Sequence, residues 1–453
     1  MTNKIVLDKR DNLFLGIIIF THLLFLLLAC YFKKIYMGDS SEYIYEALNI
    51  KNLFFFYSGN PAMPIEPELM TQRQPLYPLF LSIVYVFKIN NWFIIILQNV
   101  LSIYNIFYCR KIILKFNFNK QYDWLLLLLI ISYPAQFINA NTITPDILLQ
   151  TFTLFYFGNF ISLIQVKHPK YAIKMGLALI AGFMVKPVLY PFVLFHIVIL
   201  IVYAVYSKIK LQRIVVIALI PLIAVLFYNY WNYTRTQKFH FSSNQAFNAI
   251  YYYYPFISNN YGADSANRFL LKERTIIASI PLYRDRYDYA NNRGIQLLKE
   301  NFLSYSFFHI KNSFRIFFEP GKAEIDLFTG KLTYSQLYSK KQAGFYYLIK
   351  TKDWSGIFRY FQTNLSIIPV FIALLFNFIR TIAMVYFFFN KNINLLLRLF
   401  LFIFVLYFAM AAGPIANTRY FLPVSLLVIF AATLSLSMLL EKKLDNNGLK
   451  SIK

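Results

Sequence analysis

The chain is poor in cysteine. Its two thiols, Cys30 and Cys109, lie in or at the end of apolar runs, which argues against a disulfide framework and a thiolate metal cluster. It has no Walker loop, no dinucleotide-type glycine fingerprint and no His-Glu-x-x-His, so it carries no motif for a nucleotide-binding fold or a zinc-protease site. A basic domain is missing too. The formal net charge of +25 would suit a nucleic-acid partner, but the Lys and Arg fall in short clusters between apolar runs, so no nucleic-acid partner is expected. What the chain does have is apolar surface: 58% of its 453 residues are hydrophobic and 20% aromatic, with a mean hydropathy of +0.50. A soluble core of this length cannot hide that much, and the expected solvent is the bilayer.

Eleven apolar stretches read off, at 13–32, 75–87, 92–109, 124–137, 145–164, 171–185, 187–206, 214–231, 365–389, 395–412 and 420–440. The first has no small-residue cleavage site after it and reads as a retained span. Lys4, Lys9 and Arg10 place the N-terminus in the cytoplasm, and Arg110, Lys111, Lys115 and Lys120 place the 110–120 loop there as well. An even number of crossings must separate the two, yet three stretches lie between. The 75–87 run is the weakest: it has two prolines near its start and is too short for a core of roughly 30 Å. It is read as a juxtamembrane or re-entrant helix.

With that choice Lys167, Lys170, Lys174, Lys208, Lys210, Arg213, Lys391, Arg398 and the C-terminal lysines fall inside. Lys33 and Lys34 run against the rule. The expectation is an all-α integral membrane protein of about ten transmembrane helices, multi-pass in the cell inner membrane with both termini cytoplasmic. Residues 1–231 form an N-terminal transmembrane catalytic module with a first outer loop at 33–91 that holds interfacial helices. Residues 232–363 form a mainly helical outer segment, and 364–453 the C-terminal transmembrane helices.

The outer face then collects the interesting charges. In "DSSEYIYEALNI" a helix start is expected, with Asp39 or Ser40 at the N-cap, Glu42 in the first turn and Tyr43 on the face of Asp39. Glu46, further along, reads as a solvated surface acid. Asp39 is either a plain helix cap or a carboxylate that takes a proton from an acceptor hydroxyl or holds a metal. Asp146 in "TPDILL" follows a Pro at the first helical position and suits the positive end of a helix. Arg73, Lys186 and Arg419 either snorkel to lipid headgroups or together bind a phosphate.

In order along the chain, "DSSEYIYEA", "RQPLYP", "TPDILL", "GLALIAGFMVKP" and "RYFLP" resemble the polyprenyl-phosphate-dependent glycosyltransferases of the GT-C superfamily. The protein O-mannosyltransferases and lipid A aminoarabinose transferases are the nearest in pattern. The resemblance covers residues 13–211 best and the final span weakly. It implies that Asp39 and Tyr43 match an Asp-Glu-x-x-Tyr pattern at the catalytic centre, with Ser40 where the second acid would stand and Glu42 close enough to substitute. It implies contact of Arg73 with the donor phosphate, places Asp146 at a second-loop acid, and maps a glycine-containing span onto Gly176, Gly182, Lys186 and Pro187.

The activity so implied is inverting sugar transfer from a polyprenyl-phosphate donor on the outer face, to a lipid, protein or polysaccharide acceptor. Asp39 would be the general base and Asp146 would position the acceptor. Glu42, Tyr43, Arg73, Lys186 and Arg419 would bind substrate. A divalent metal on Asp39 and Asp146 is left open. The rival reading is a flippase or transporter of lipid-linked glycans, kept alive by Arg380 deep in the 365–389 run; a glycan polymerase is a second. In the outer segment, Tyr251–Tyr254 are expected in an interfacial aromatic belt rather than stacked on a sugar, and His309, Arg315 and Glu319 in structural roles.

Overall fold

The computed structural model describes residues 9–116, 118–333, 352–363 and 367–450. The terminal lysines Lys4 and Lys453, used above to orient the chain, lie outside these. No strand occurs among the described residues. Among the described residues seven helices are long and apolar enough to cross a membrane: α1 (Lys9–Phe32), α4 (Asn91–Ile113), α7 (Asp146–Val166), α10 (Leu211–Thr236), α17 (Ile367–Phe389), α18 (Leu395–Ala412) and α19 (Thr418–Lys450). An eighth candidate is a pair bent by 67°, α5 (Asp123–Ile131) and α6 (Pro134–Ala140). The remaining two of the ten expected spans form shorter helices, α8 (Lys170–Val185) and α9 (Phe192–Tyr206), of 16 and 15 residues. The protein is an all-helical, multi-pass membrane protein.

The bend between α5 and α6 explains Arg380. Tyr133-Pro134 breaks the helix, because proline supplies no N–H, and this exposes main-chain carbonyls within the bundle. Arg380, on α17, donates to Leu129 O at 3.2 Å and to Ser132 Oγ at 2.8 Å, and also to Asn377. Its guanidinium also lies over the Tyr133 ring. The cation that favoured a transporter therefore braces a broken helix.

Helix α19 is the spine. Its spanning stretch is 83% buried, packed against α17, α7, α18, α5 and α4. By contrast α1 and α10 are each 28% buried and leave apolar faces outward. Amides knit the interior: Gln136 and Gln150 bond each other, and Gln150 donates to Leu422 O on α19. In lipid such bonds replace the hydrophobic force that water would supply. At one end of the bundle Arg110 joins Asp11 and Asp123 at 2.7 Å each, locking α1 to α4 and α5.

At the other end, between α1 and α4, lie α2 (Ser40–Leu53) and α3 (Leu76–Val86), packed on each other. Helix α3 has 11 residues, about 16 Å of rise, too short to span. Beyond α10 the chain forms α11 (Asn244–Tyr261), α12 (Ala263–Ser279), α13 (Tyr283–Glu300), α14 (Phe302–Ser313) and α15 (Lys322–Phe328); α16 (Trp354–Thr363) precedes α17. His240 ties this segment to the α2–α3 connection by a 2.9 Å bond to Thr71.

Candidate active site

Local features bring the acids together. Ile143 N donates to Ile35 O, and Ser40 Oγ donates to Ile143 O at 2.7 Å while accepting from Met37 N. These bonds pin the start of α2 against the turn before α7. Ser40 is fully buried in that role, so the position that carries a second acid in the resembled family is here a structural tie. Asp39 occupies the N-cap position of α2, but its side chain makes no capping bond. Pro145 is the N-cap of α7, one place earlier than expected, and Asp146 opens the helix.

Both carboxylates converge on Arg419, in the first turn of α19. Its Nη1 and Nη2 grip the two oxygens of Asp39 at 2.8 Å each, and its Nε donates to Asp146 Oδ2 at 2.6 Å. Lys186 Nζ holds Asp146 Oδ1 at 2.7 Å and sits 5.0 Å from the centre of the Tyr420 ring. Lys186 is extended because a proline follows it. It is placed by the turn to Leu189, which packs so closely on α8 that a Cβ at Gly182 would lie 2.6 Å from Leu189 Cδ1. Arg73 lies over the buried Tyr43 ring at 4.9 Å, bonds Glu42 Oε2 from Nε at 2.6 Å, and reaches Asp39 at 3.6 Å. All seven residues singled out from the sequence thus fall in one cluster.

Burial alone would raise the Asp39 carboxyl, but Arg419, with help from Arg73 and Lys186, outweighs it and holds the group well below the usual carboxylate range. All four oxygens of Asp39 and Asp146 accept from Arg419 or Lys186. Among the described residues no group of three or more His, Cys, Asp or Glu is placed to hold a metal. A divalent cation would have to displace bonded cations from both acids, so this donor set does not fit the metal left open above.

Two expectations fail. Glu46 is not solvated: it is 2% exposed, with Oε2 unpartnered. Burial pushes its carboxyl up to about 8. Nor do Tyr251–Tyr254 form a lipid-facing belt. Tyr253 packs in a small core with Phe256 and Tyr305, and the other three line a cavity of about 1050 Å³. His309, by contrast, is structural as expected, bonding Met410 O at 2.9 Å.

This cavity opens from the charged cluster. Asp39, Arg73, Lys186 and Arg419 form one end, Val188, Pro191, Phe408, Ala412 and Ile415 an apolar flank, and α11 and α12 a polar wall. The wall was missed from the sequence. Its signal was the clustering of Asn244, Gln245 and Asn248 just before the tyrosines, a run of neutral hydrogen-bonding groups on one helix face.

No family model matches the sequence, and no curated protein matches it. The fold is similar to that of a solved archaeal oligosaccharyltransferase, AglB from Archaeoglobus fulgidus, determined in complex with an inhibitory peptide and a dolichol-phosphate. The TM-score is 0.51 at 13% identity, over 97% of this chain and 52% of that one. The chain therefore spans about half the length of that enzyme, and what the two share is a helical membrane fold.

Proposed function

We propose that the protein is a membrane glycosyltransferase that moves a sugar from a polyprenyl-phosphate donor to an acceptor hydroxyl or phosphate on the outer face of the membrane, with inversion. The observation that carries this reading is Arg419 joining Asp39 and Asp146 at the floor of a cavity with one apolar flank. The flank suits a lipid tail arriving from the bilayer, and the cations at its end suit the phosphate. A fold similar to that of an enzyme solved in complex with a dolichol-phosphate is consistent with that donor.

Free Asp39 is too acidic to be an effective base. Donor binding changes this. A phosphate beside Arg419 and Lys186 draws their hydrogen bonds and adds negative charge, and both effects raise the pKa of Asp39. Asp39 then takes the proton of the acceptor O–H as that oxygen attacks the anomeric carbon from the face opposite the phosphate. The bond from the anomeric carbon to the phosphate oxygen breaks, its electron pair stays on the phosphate, and Arg73, Lys186 and Arg419 stabilise that charge. Asp146, locked between Lys186 and Arg419, keeps the two cations aimed.

The test is mass spectrometry of envelope lipids and glycans from a deletion strain complemented with wild type or Asp39→Asn. Loss of one sugar-sized mass, restored by wild type and not by an Asn variant present at normal levels, supports the reading. Full restoration by the variant removes Asp39 from the chemistry. Build-up of a complete lipid-linked glycan on the inner leaflet would mean transport instead.

A further inference from the structure

Among the described residues four cations line the cavity, and three of them are matched by acids. Arg419 is matched by Asp39 and Asp146, Lys186 by Asp146, and Arg73 by Glu42. The fourth is Arg274, on α12 in the polar wall. It lies over the Tyr251 ring, 5.4 Å from its centre, and has no carboxylate partner among the described residues. The acid beside it in sequence is committed elsewhere: Glu273 is buried, accepting from Arg293 at 2.9 Å and from Tyr289 at 3.0 Å. Among the described residues, Asp39, already held by Arg419, is the one acid that lines the cavity. The wall end therefore carries positive charge that nothing in the described chain neutralises.

Resting on the donor reading above, we propose that this end is a second subsite that takes an acidic carbohydrate, with Arg274 reading a carboxylate or phosphate on the glycan. Asn248, Asn267 and Tyr254 supply neutral hydrogen-bonding groups beside it, the chemistry that matches sugar hydroxyls, and Tyr254 already donates to Asn267 at 2.9 Å. Sites of about 300–1,000 Å³ enclose drug-sized ligands, and about 1050 Å³ leaves room for more than one sugar ring beside the phosphate. An anion bound to a guanidinium that stacks on tyrosine gains a charge-assisted bond. The acidic group belongs either to the donor's glycan or to the acceptor; the chemistry is the same.

The test is calorimetric titration of the full-length protein in lipid nanodiscs at about 0.15 M salt, with tetragalacturonate as acidic probe and maltotetraose as neutral probe. Wild type is expected to bind the acidic tetrasaccharide at least tenfold more tightly. Arg274→Gln should erase that preference while leaving neutral binding unchanged, and Arg274→Lys should keep part of it. Equal binding of the two probes, no binding of either, or a preference that survives Arg274→Gln overturns the proposal.

Repeating the titration with undecaprenyl phosphate bound separates this subsite from the phosphate cations. Undiminished binding supports it; competition that removes the acidic preference means that the probe sits on Arg73, Lys186 and Arg419, and overturns it. Undecaprenyl phosphate binding itself tests the donor reading. Its absence in wild type sinks that reading and leaves the acidic preference to be judged alone.

Discussion

At the scale of single residues, Arg419 carries the most. It compensates two acids, one fully buried, so Arg419→Gln leaves Asp39 and Asp146 short of a cation and should cost about 3–5 kcal/mol. Adding Asp146→Asn should recover part of that loss, a coupling that a double-mutant cycle on detergent-solubilised protein measures. Arg419→Lys keeps the charge but cannot grip one carboxylate with two nitrogens and the other with a third. It should fold while activity drops about a hundredfold. Glu46 predicts a pH effect. Its folded value of about 8 lies above the ordinary 4.5, so between those values the folded state keeps a proton that the unfolded chain releases. Stability then falls as pH rises through that window. Glu46→Gln should match wild type near pH 5 and exceed it near pH 8 by on the order of 3 kcal/mol, read as a melting shift at each pH. Asp39, Asp146, Lys186 and Arg419 were legible in the sequence because a charge at the end of an apolar run stands out. Glu46 was not, because its burial is a tertiary property: the charges that act on it, Arg235 and Arg73, come from distant parts of the chain, and no local pattern encodes that.

At the scale of elements, Gly182 on α8 ties helix packing to the site. A methyl at Gly182 meets Leu189 at 2.6 Å, so Gly182→Ala should cost about 1–3 kcal/mol by overpacking. It should also shift Lys186, raising the KM for donor more than it lowers kcat, which steady-state kinetics resolves. Helix α15 acts on the site from a distance. Glu324 accepts from Thr418 Oγ1 at 2.6 Å and so fixes the first turn of α19, from which Arg419 projects. The non-spanning character of α3 could be inferred from charge parity and length. The sharp α5–α6 break could not: Pro134 sits inside an apolar run, and the sequence does not say whether such a proline kinks a span or ends it.

At the scale of the whole molecule, the sequence yields the fold class because a bilayer demands long apolar helices. The cavity did not emerge, since its polar wall comes from α11 and α12, whose amphipathic faces look alike whether they meet lipid, protein or ligand. The burial contrast between α19 and α1 extends to the thiols. Cys30 is exposed near the end of α1 and Cys109 is buried against α19, bonded to Leu426 O. A membrane-permeant maleimide should label Cys30 in the folded protein and reach Cys109 only after denaturation, as intact-mass analysis of the labelled chain would show.

The bond between Asp39 and Arg419 joins residues 380 positions apart. At about 5–20 residues per second of synthesis, Asp39 waits roughly half a minute on the ribosome before its partner is made. Until then Asp146 lacks Arg419 at a membrane boundary. A nascent chain halted short of α19 therefore holds Asp146 through Lys186 alone and is a bundle without its central helix.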